Sequence, residues 1–150
     1  LKNTLVREWM TESVISITSD TAITTAHQIM KKNRIRRLPV VNDGKLVGIV
    51  TIGDIREASP SGATTLSIWE LNYLWSQLKV EQVMTRKVYT VNQDEPMINA
   101  ARIMLESKIS GLPVVDDEGR LVGVVTESDV FRMVVKNQAD EIEAEESQNS

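Results

Sequence analysis

The strongest constraint on this chain is that it contains one pattern twice. The run WMTESVISITSDTAITTAHQIMKKNRIRRLPVVNDGKLVGIVTIGDI begins at Trp9. Its counterpart VMTRKVYTVNQDEPMINAARIMLESKISGLPVVDDEGRLVGVVTESDV begins at Val83, with one extra residue in its turn. Aligned, the copies share Met10/Met84, Thr11/Thr85, Asp20/Asp94, Pro39/Pro113, Gly48/Gly123, Thr51/Thr126 and Asp54/Asp129. A duplicated unit must bury its apolar face against something, and an open stack needs about three or more copies. Two copies therefore predict a closed pair related by a pseudo-twofold axis.

Each copy reads as β-α-β-β-α. A β-branched segment comes first (Val14 to Thr18; Val88 to Asn92). Asp20 and Asp94 are the expected helix caps, and Pro96 suits a first helical turn. Apolar residues then recur at Ile23, Ala26, Ile29 and Met30, and at Met97, Ala100, Ala101 and Met104, the spacing of one buried helical face. LPVVNDGKLVGIV and LPVVDDEGRLVGVV each place two short strands around a Gly-containing turn, a hairpin signal. A second helix follows TIGDI and TESDV. The fold class is α/β (α+β), with the two pseudo-symmetric repeats packed into one module. Repeat 1 covers 6–60 and repeat 2 covers 80–136.

Between them, 61–79 is a linker, entered through a Ser-Pro-Ser-Gly loop that begins at Ser59. It continues as an amphipathic aromatic helix with Ile68, Leu71, Leu74, Trp75 and Leu78 on one face. Its aromatics fit either packing on the module's own core or a surface for self-association. The acidic, polar tail over 137–150 buries little apolar surface and is expected to be disordered.

Composition removes several function classes. The chain has no cysteine, hence no disulfide, thiolate metal site or Cys nucleophile. A net charge of −4 lacks the basic excess of a nucleic-acid surface. No apolar run is long enough for a membrane helix and no signal peptide is visible, so the expectation is a cytoplasmic protein. His27, the single histidine, has no second His or Cys partner nearby for metal or base chemistry, and is read as structural. With no Ser-His-Asp set, Walker-type loop or carboxylate cluster, no enzyme is expected and no catalytic or metal site is assigned.

Two copies of LPVV…G-x-L-V-G-[IV]-V-T-x-x-D-[IV], each preceded by MT, resemble a tandem pair of CBS domains, a Bateman module. The connector, with EASPS running into LSIWELNYL, is similar to stand-alone CBS pairs of the acetoin-utilisation type. This resemblance covers nearly all of Val6 to Val135. It implies two clefts, each built from both copies, that bind adenosine derivatives and regulate another protein. AMP, ADP or ATP are the implied ligands ahead of S-adenosylmethionine or NAD. The resemblance also implies flat homodimers and an effector protein that cannot be named from this sequence.

The residues can be weighed on their own chemistry. The carboxylates of Asp54 and Asp129 offer two acceptors side by side, as adjacent ribose hydroxyls require. Thr51 and Thr126 could supply hydroxyls to a phosphate or sugar oxygen. Thr-x-x-Asp before an apolar run is equally a helix capping box that needs no ligand. Arg36 and Arg37 suit phosphate oxygens, although basic residues also guard a strand's edge. The second copy has Ser110 and Gly111 there, so simple edge protection does not explain the cations.

If each cleft crosses copies, the main cleft combines Ile15, Ile35, Arg36 and Arg37 with Thr126, Ser128 and Asp129. The second combines Tyr89, Ile109, Ser110 and Gly111 with Thr51, Gly53 and Asp54, and lacks the cations. Ile15, Ile35, Tyr89 and Ile109 would flank the adenine; as apolar residues they could instead be core, and Tyr89 could pack on the sheet. The expectation is one phosphate-bearing ligand in the main cleft. The alternative is a structural or protein-interaction module whose clefts bind no nucleotide.

Overall fold

The computed structural model of the chain describes residues 4–59 and 67–149. These form two compact units that do not follow the repeats as written in sequence. One unit is Ile15–Val88; the other joins Leu1–Val14 to Tyr89–Ser150.

In the 15–88 unit, α1 (Ile23–Asn33) precedes β1 (Arg37–Asn42), β2 (Lys45–Thr51), α2 (Ile52–Ala58) and α3 (Ile68–Ser76). β1 and β2 are an antiparallel hairpin pairing Arg37 with Thr51 and Leu38 with Val50. Asp43 and Gly44 both take positive φ, 51° and 80°, as a two-residue turn matched to strand twist requires. The core gathers Ile17, Ile23, Ala26, Met30, Leu38, Val40, Val50, Ile55, Val80 and Met84. The expected first strand is reduced to one parallel bridge at Ile17, which donates its N–H to Pro39 O and accepts from Val41 N.

The other unit repeats the plan: β3 (Val91–Asn92), α4 (Met97–Ser107), β4 (Gly111–Val115), β5 (Leu121–Thr126) and α5 (Glu127–Gln148). β3 runs parallel to β4, and β4 antiparallel to β5. Val6, Val91, Met97, Ala100, Met104, Leu112, Val114, Val125 and Met133 form its core. Of the periodic positions expected to be buried on the two first helices, Ile23, Ala26 and Met30, and Met97, Ala100 and Met104, are buried, whereas Ile29 and Ala101 are only half-buried.

The repeats exchange their leading segments. Thr85, which opens copy 2 in sequence, bridges Ile49 of copy 1 by two backbone hydrogen bonds of 2.8 and 2.9 Å. Thr11, which opens copy 1, bridges Val124 of copy 2 at 2.9 and 3.0 Å. The shared glycines make this possible. A Cβ on Gly48 would stand 2.7 Å from Met84 Sδ and 2.9 Å from Thr85 O; on Gly123 it would meet Met10 Sδ and Thr11 O at the same two distances.

The same exchange corrects the expected caps. Ala22 and Pro96, not Asp20 and Asp94, precede the helices, and neither makes a side-chain cap. The Ile23 N–H donates to Leu78 O (3.0 Å) and the Met97 N–H to Thr4 O (2.6 Å), so the incoming segments satisfy first-turn donors. Asp20 instead accepts from the Thr18 hydroxyl, and Asp94 pairs with Arg7.

Two further expectations are revised. The tail is helical through Gln148 within α5. Elongating a helix already nucleated and docked costs little, and Ala, Glu and Gln are good helix formers. In the connector, Trp75 and Leu78 pack on the core, whereas Ile68 and Leu74 are exposed, as are Trp69 (81%) and Tyr73 (63%). Leu78 lies beyond the last turn of α3, so the expected five-residue stripe is split between two sides. Of the Ser-Pro-Ser-Gly loop, Pro60, Ser61 and Gly62 lie outside the described residues. His27 stacks edge-on against Trp75 at 6.0 Å, the structural role its isolation suggested. No helix among the described residues is long and apolar enough to cross a membrane.

Candidate functional site

Several of the expected site residues, Arg36, Arg37, Thr51 and Asp54 in one unit and Ser110, Gly111, Thr126 and Asp129 in the other, lie at one end of their hairpin. In the 15–88 unit β2 ends at Thr51, paired with Arg37, and the Ile52 N–H donates to Arg36 O at 2.8 Å. The end of β1 and the start of α2 are therefore tied together. Asp54 Oδ2 accepts the Thr51 N–H at 2.9 Å, and Thr51 Oγ1 accepts the Asp54 N–H at 3.1 Å. This reciprocal capping box satisfies two helix-start donors. Ile35 packs against the core while Ile15 is exposed. Among the described residues, neither guanidinium of Arg36 or Arg37 has a hydrogen-bond or ion-pair partner.

The equivalent end of the other unit has the same backbone. Gly111 pairs with Thr126, and the Glu127 N–H donates to Ser110 O at 3.0 Å. Ile109 packs on the core and Tyr89 is exposed. The carboxylate is handled differently here. Asp129 is only 3% exposed. Its Oδ2 accepts both the Thr126 N–H (2.8 Å) and the Thr126 hydroxyl (3.2 Å), and Arg132 donates to its Oδ1. Thr126 thus donates its hydroxyl where Thr51 accepts with it. Ser110 and Ser128 are exposed.

Arg132 is a residue that motif reading missed. The motif ends at Asp-Val, two residues short of it, yet the repeat alignment holds the signal: Glu57 stands at the equivalent place in copy 1. The buried carboxylate of copy 2 has a cation beside it, whereas the half-buried Asp54 of copy 1 has a second acid one turn on. Among the described residues no cluster of three or more His, Cys, Asp or Glu could hold a metal ion.

The structure therefore brings together, within each unit, a Thr-x-x-Asp turn and the residues that precede the same copy's LPVV strand. A backbone built this way twice, over the sequence motif noted above, defines the family, and a family model for the CBS domain matches residues 6–61 and 80–136. The chain belongs to the CBS domain family and carries the domain twice.

A CBS domain-containing protein of Dictyostelium discoideum is 36% identical over 88% of this chain and 92% of its own length. Among solved structures, the CBS domain pair of protein MJ0100 in complex with 5-methylthioadenosine and S-adenosyl-L-methionine is 36% identical. It aligns with a TM-score of 0.69 over 91% of this chain and 99% of its own. CBSX2 in complex with AMP is 28% identical, with a TM-score of 0.73 over 89% and 98%. A protein from Vibrio cholerae named as a putative acetoin utilization protein is 26% identical, with a TM-score of 0.74 over 93% and 96%.

Other curated relatives are much longer. The chain spans 25% of a homoserine O-acetyltransferase of Methanococcoides burtonii and 23% of an L-aspartate semialdehyde sulfurtransferase of Methanocaldococcus jannaschii, each 38% identical to it. The stretch that matches this chain is one part of each of those longer proteins.

Proposed function

We propose that the chain senses an adenosine-containing nucleotide of the AMP, ADP or ATP class and passes its occupancy to an effector protein. In this reading Arg36 and Arg37 meet the phosphates, Asp129 and Thr126 take the ribose side, Ser128 lies beside them, and Ile15 and Ile35 flank the adenine. The observation that carries it is the pair of guanidinium groups without partners at a strand end tied to a helix start. Planar cations left unpaired there suit phosphate oxygens. They also favour a phosphorylated ligand over S-adenosylmethionine, whose sulfonium is itself cationic.

The second cleft, with Tyr89, Ile109, Ser110, Gly111, Thr51 and Asp54, would be weaker or take a less charged adenosine compound. Binding regulates only by favouring one arrangement of the protein over another, through differential affinity. The relatives solved with AMP and with S-adenosyl-L-methionine support the adenosine part of the reading. One observation favours the alternative, an interaction module with empty clefts: Asp54 and Asp129 already serve as caps, a role that needs no ligand.

A thermal-shift screen against AMP, ADP, ATP, S-adenosylmethionine and NAD separates the two. A ligand at about 100 times its dissociation constant adds about 2.7 kcal/mol of stability. The AMP class is expected to raise the transition most, and silence from all five compounds would favour the interaction module.

A further inference from the structure

Residues 31–37, KKNRIRR, hold five cations and no acid: Lys31, Lys32, Arg34, Arg36 and Arg37. They span the last turn of α1, the left-handed residue Arg34 that ends it, and the first residue of β1. Lys31, Lys32, Arg34 and Arg36 are exposed and Arg37 is half-buried. Among the described residues none of the five side chains makes a hydrogen bond or ion pair. The counterpart in copy 2, residues 105–111, holds one cation, Lys108, and one acid, Glu106.

The local architecture does not require this charge. Cations near a helix C-terminus favour its dipole. Yet α4 ends in the same left-handed cap with Leu105 and Glu106 where α1 has Lys31 and Lys32. The hairpin that follows starts equally well from Ser110 and Gly111. Five like charges within about 22 Å of chain, even fully extended, repel one another unless an anion lies over them. The rest of the chain is the opposite. Five of its 17 Lys and Arg lie in this segment, and the other 12 stand against 21 Asp and Glu. A nucleic acid or an anionic membrane would run past the segment and meet that acidic remainder; a short acidic stretch of protein would not.

We propose that residues 31–37 dock an acidic segment of the effector protein, and that nucleotide opposes this docking. The second part rests on the nucleotide reading above; the first does not. A phosphate monoester brings up to about two negative charges. One held by Arg36 and Arg37 leaves Lys31, Lys32 and Arg34 as the remaining cations of the segment. The nucleotide-bound chain then presents a weaker field to the acidic segment, and the state that nucleotide disfavours is the docked one. The linkage is reciprocal, so the acidic segment weakens nucleotide by the same factor.

Fluorescence anisotropy of a labelled octaglutamate peptide, titrated with the full chain, tests both parts. Wild type should bind, and less tightly as salt rises. Lys31→Gln/Lys32→Gln should weaken the peptide about fivefold or more, the worth of two exposed ion pairs, while AMP affinity by calorimetry holds. Removing two exposed cations elsewhere, in Lys87→Gln/Arg120→Gln, should leave the peptide as in wild type. Saturating AMP should weaken the peptide by a similar factor, and adenosine should not. Three results would each overturn the docking site: a peptide that does not bind, one indifferent to Lys31→Gln/Lys32→Gln, or one weakened as much by Lys87→Gln/Arg120→Gln. So would a DNA duplex or phosphatidylserine vesicle bound more tightly through the same lysines. AMP that binds by calorimetry without displacing the peptide would overturn the opposition. AMP that does not bind at all would end the nucleotide reading and the opposition with it, while the docking site would still stand on Lys31 and Lys32.

Discussion

At the start of β1 the first repeat carries Arg36 and Arg37; at the start of β4 the second carries Ser110 and Gly111. Three residues beyond the acid shared by the two repeats, the order reverses, with Glu57 in the first repeat and Arg132 in the second. The scaffold shows no such divergence. Gly48 and Gly123 accept the same Met-Thr segment at the same distances. Arg34 and Lys108 end their helices in the same left-handed conformation, and Ile35 and Ile109 return N–H bonds to Met30 and Met104 alike. Duplication has kept what backbone packing demands and let charge drift at the hairpin ends. Two sites with one shape and different electrostatics are expected to hold different ligands, or to hold one ligand with different affinity.

If the scaffold is shared, core truncations should cost the repeats equally. Leu38→Ala and Leu112→Ala each remove a fully buried side chain and should each lower unfolding free energy by about 3 kcal/mol in urea titrations. A large inequality would mean that only one repeat has a close-packed core. Gly48→Ala and Gly123→Ala push a methyl against a backbone carbonyl 2.9 Å away, and should each cost about 2 kcal/mol in the same assay. Equal losses would locate the exchanged Met-Thr segments as a joint requirement of both units.

The charged positions should separate the repeats. Arg132→Gln removes the cation from a buried carboxylate and is expected to cost about 1 kcal/mol, since the arginine itself is largely solvated. Glu57→Gln, at an exposed site that makes no ion pair among the described residues, should change stability by less than about 0.5 kcal/mol. Chemical denaturation of both variants reads the difference.

Much of this architecture could be read from residues. The hairpins followed from LPVV, the turn glycines and the alternation around them; the buried helix faces followed from spacing at Ile23, Ala26 and Met30 and at Met97, Ala100 and Met104. The exchange of Met10-Thr11 and Met84-Thr85 could not be read. Two near-identical copies offer each segment two near-identical docking grooves, and local pattern cannot choose between them. The helix caps failed for the same reason, because their donors go to backbone from far along the chain. The length of α5 was hidden by composition, which reports how little a segment buries but not whether a docked helix precedes it. The Thr-x-x-Asp turns were visible as motifs, and their capping bonds were one of the two roles foreseen. Arg132 lay outside the motif and needed the repeats to be compared position by position.

The asymmetry in cations carries the functional account, and calorimetric titration of AMP and of adenosine into Arg36→Ala/Arg37→Ala chains addresses it. Losing phosphate contacts should weaken AMP by one to two orders of magnitude, about 1.4 to 2.7 kcal/mol, and leave adenosine binding as in wild type. AMP affinity unchanged by the double substitution, or adenosine weakened as much as AMP, would contradict it.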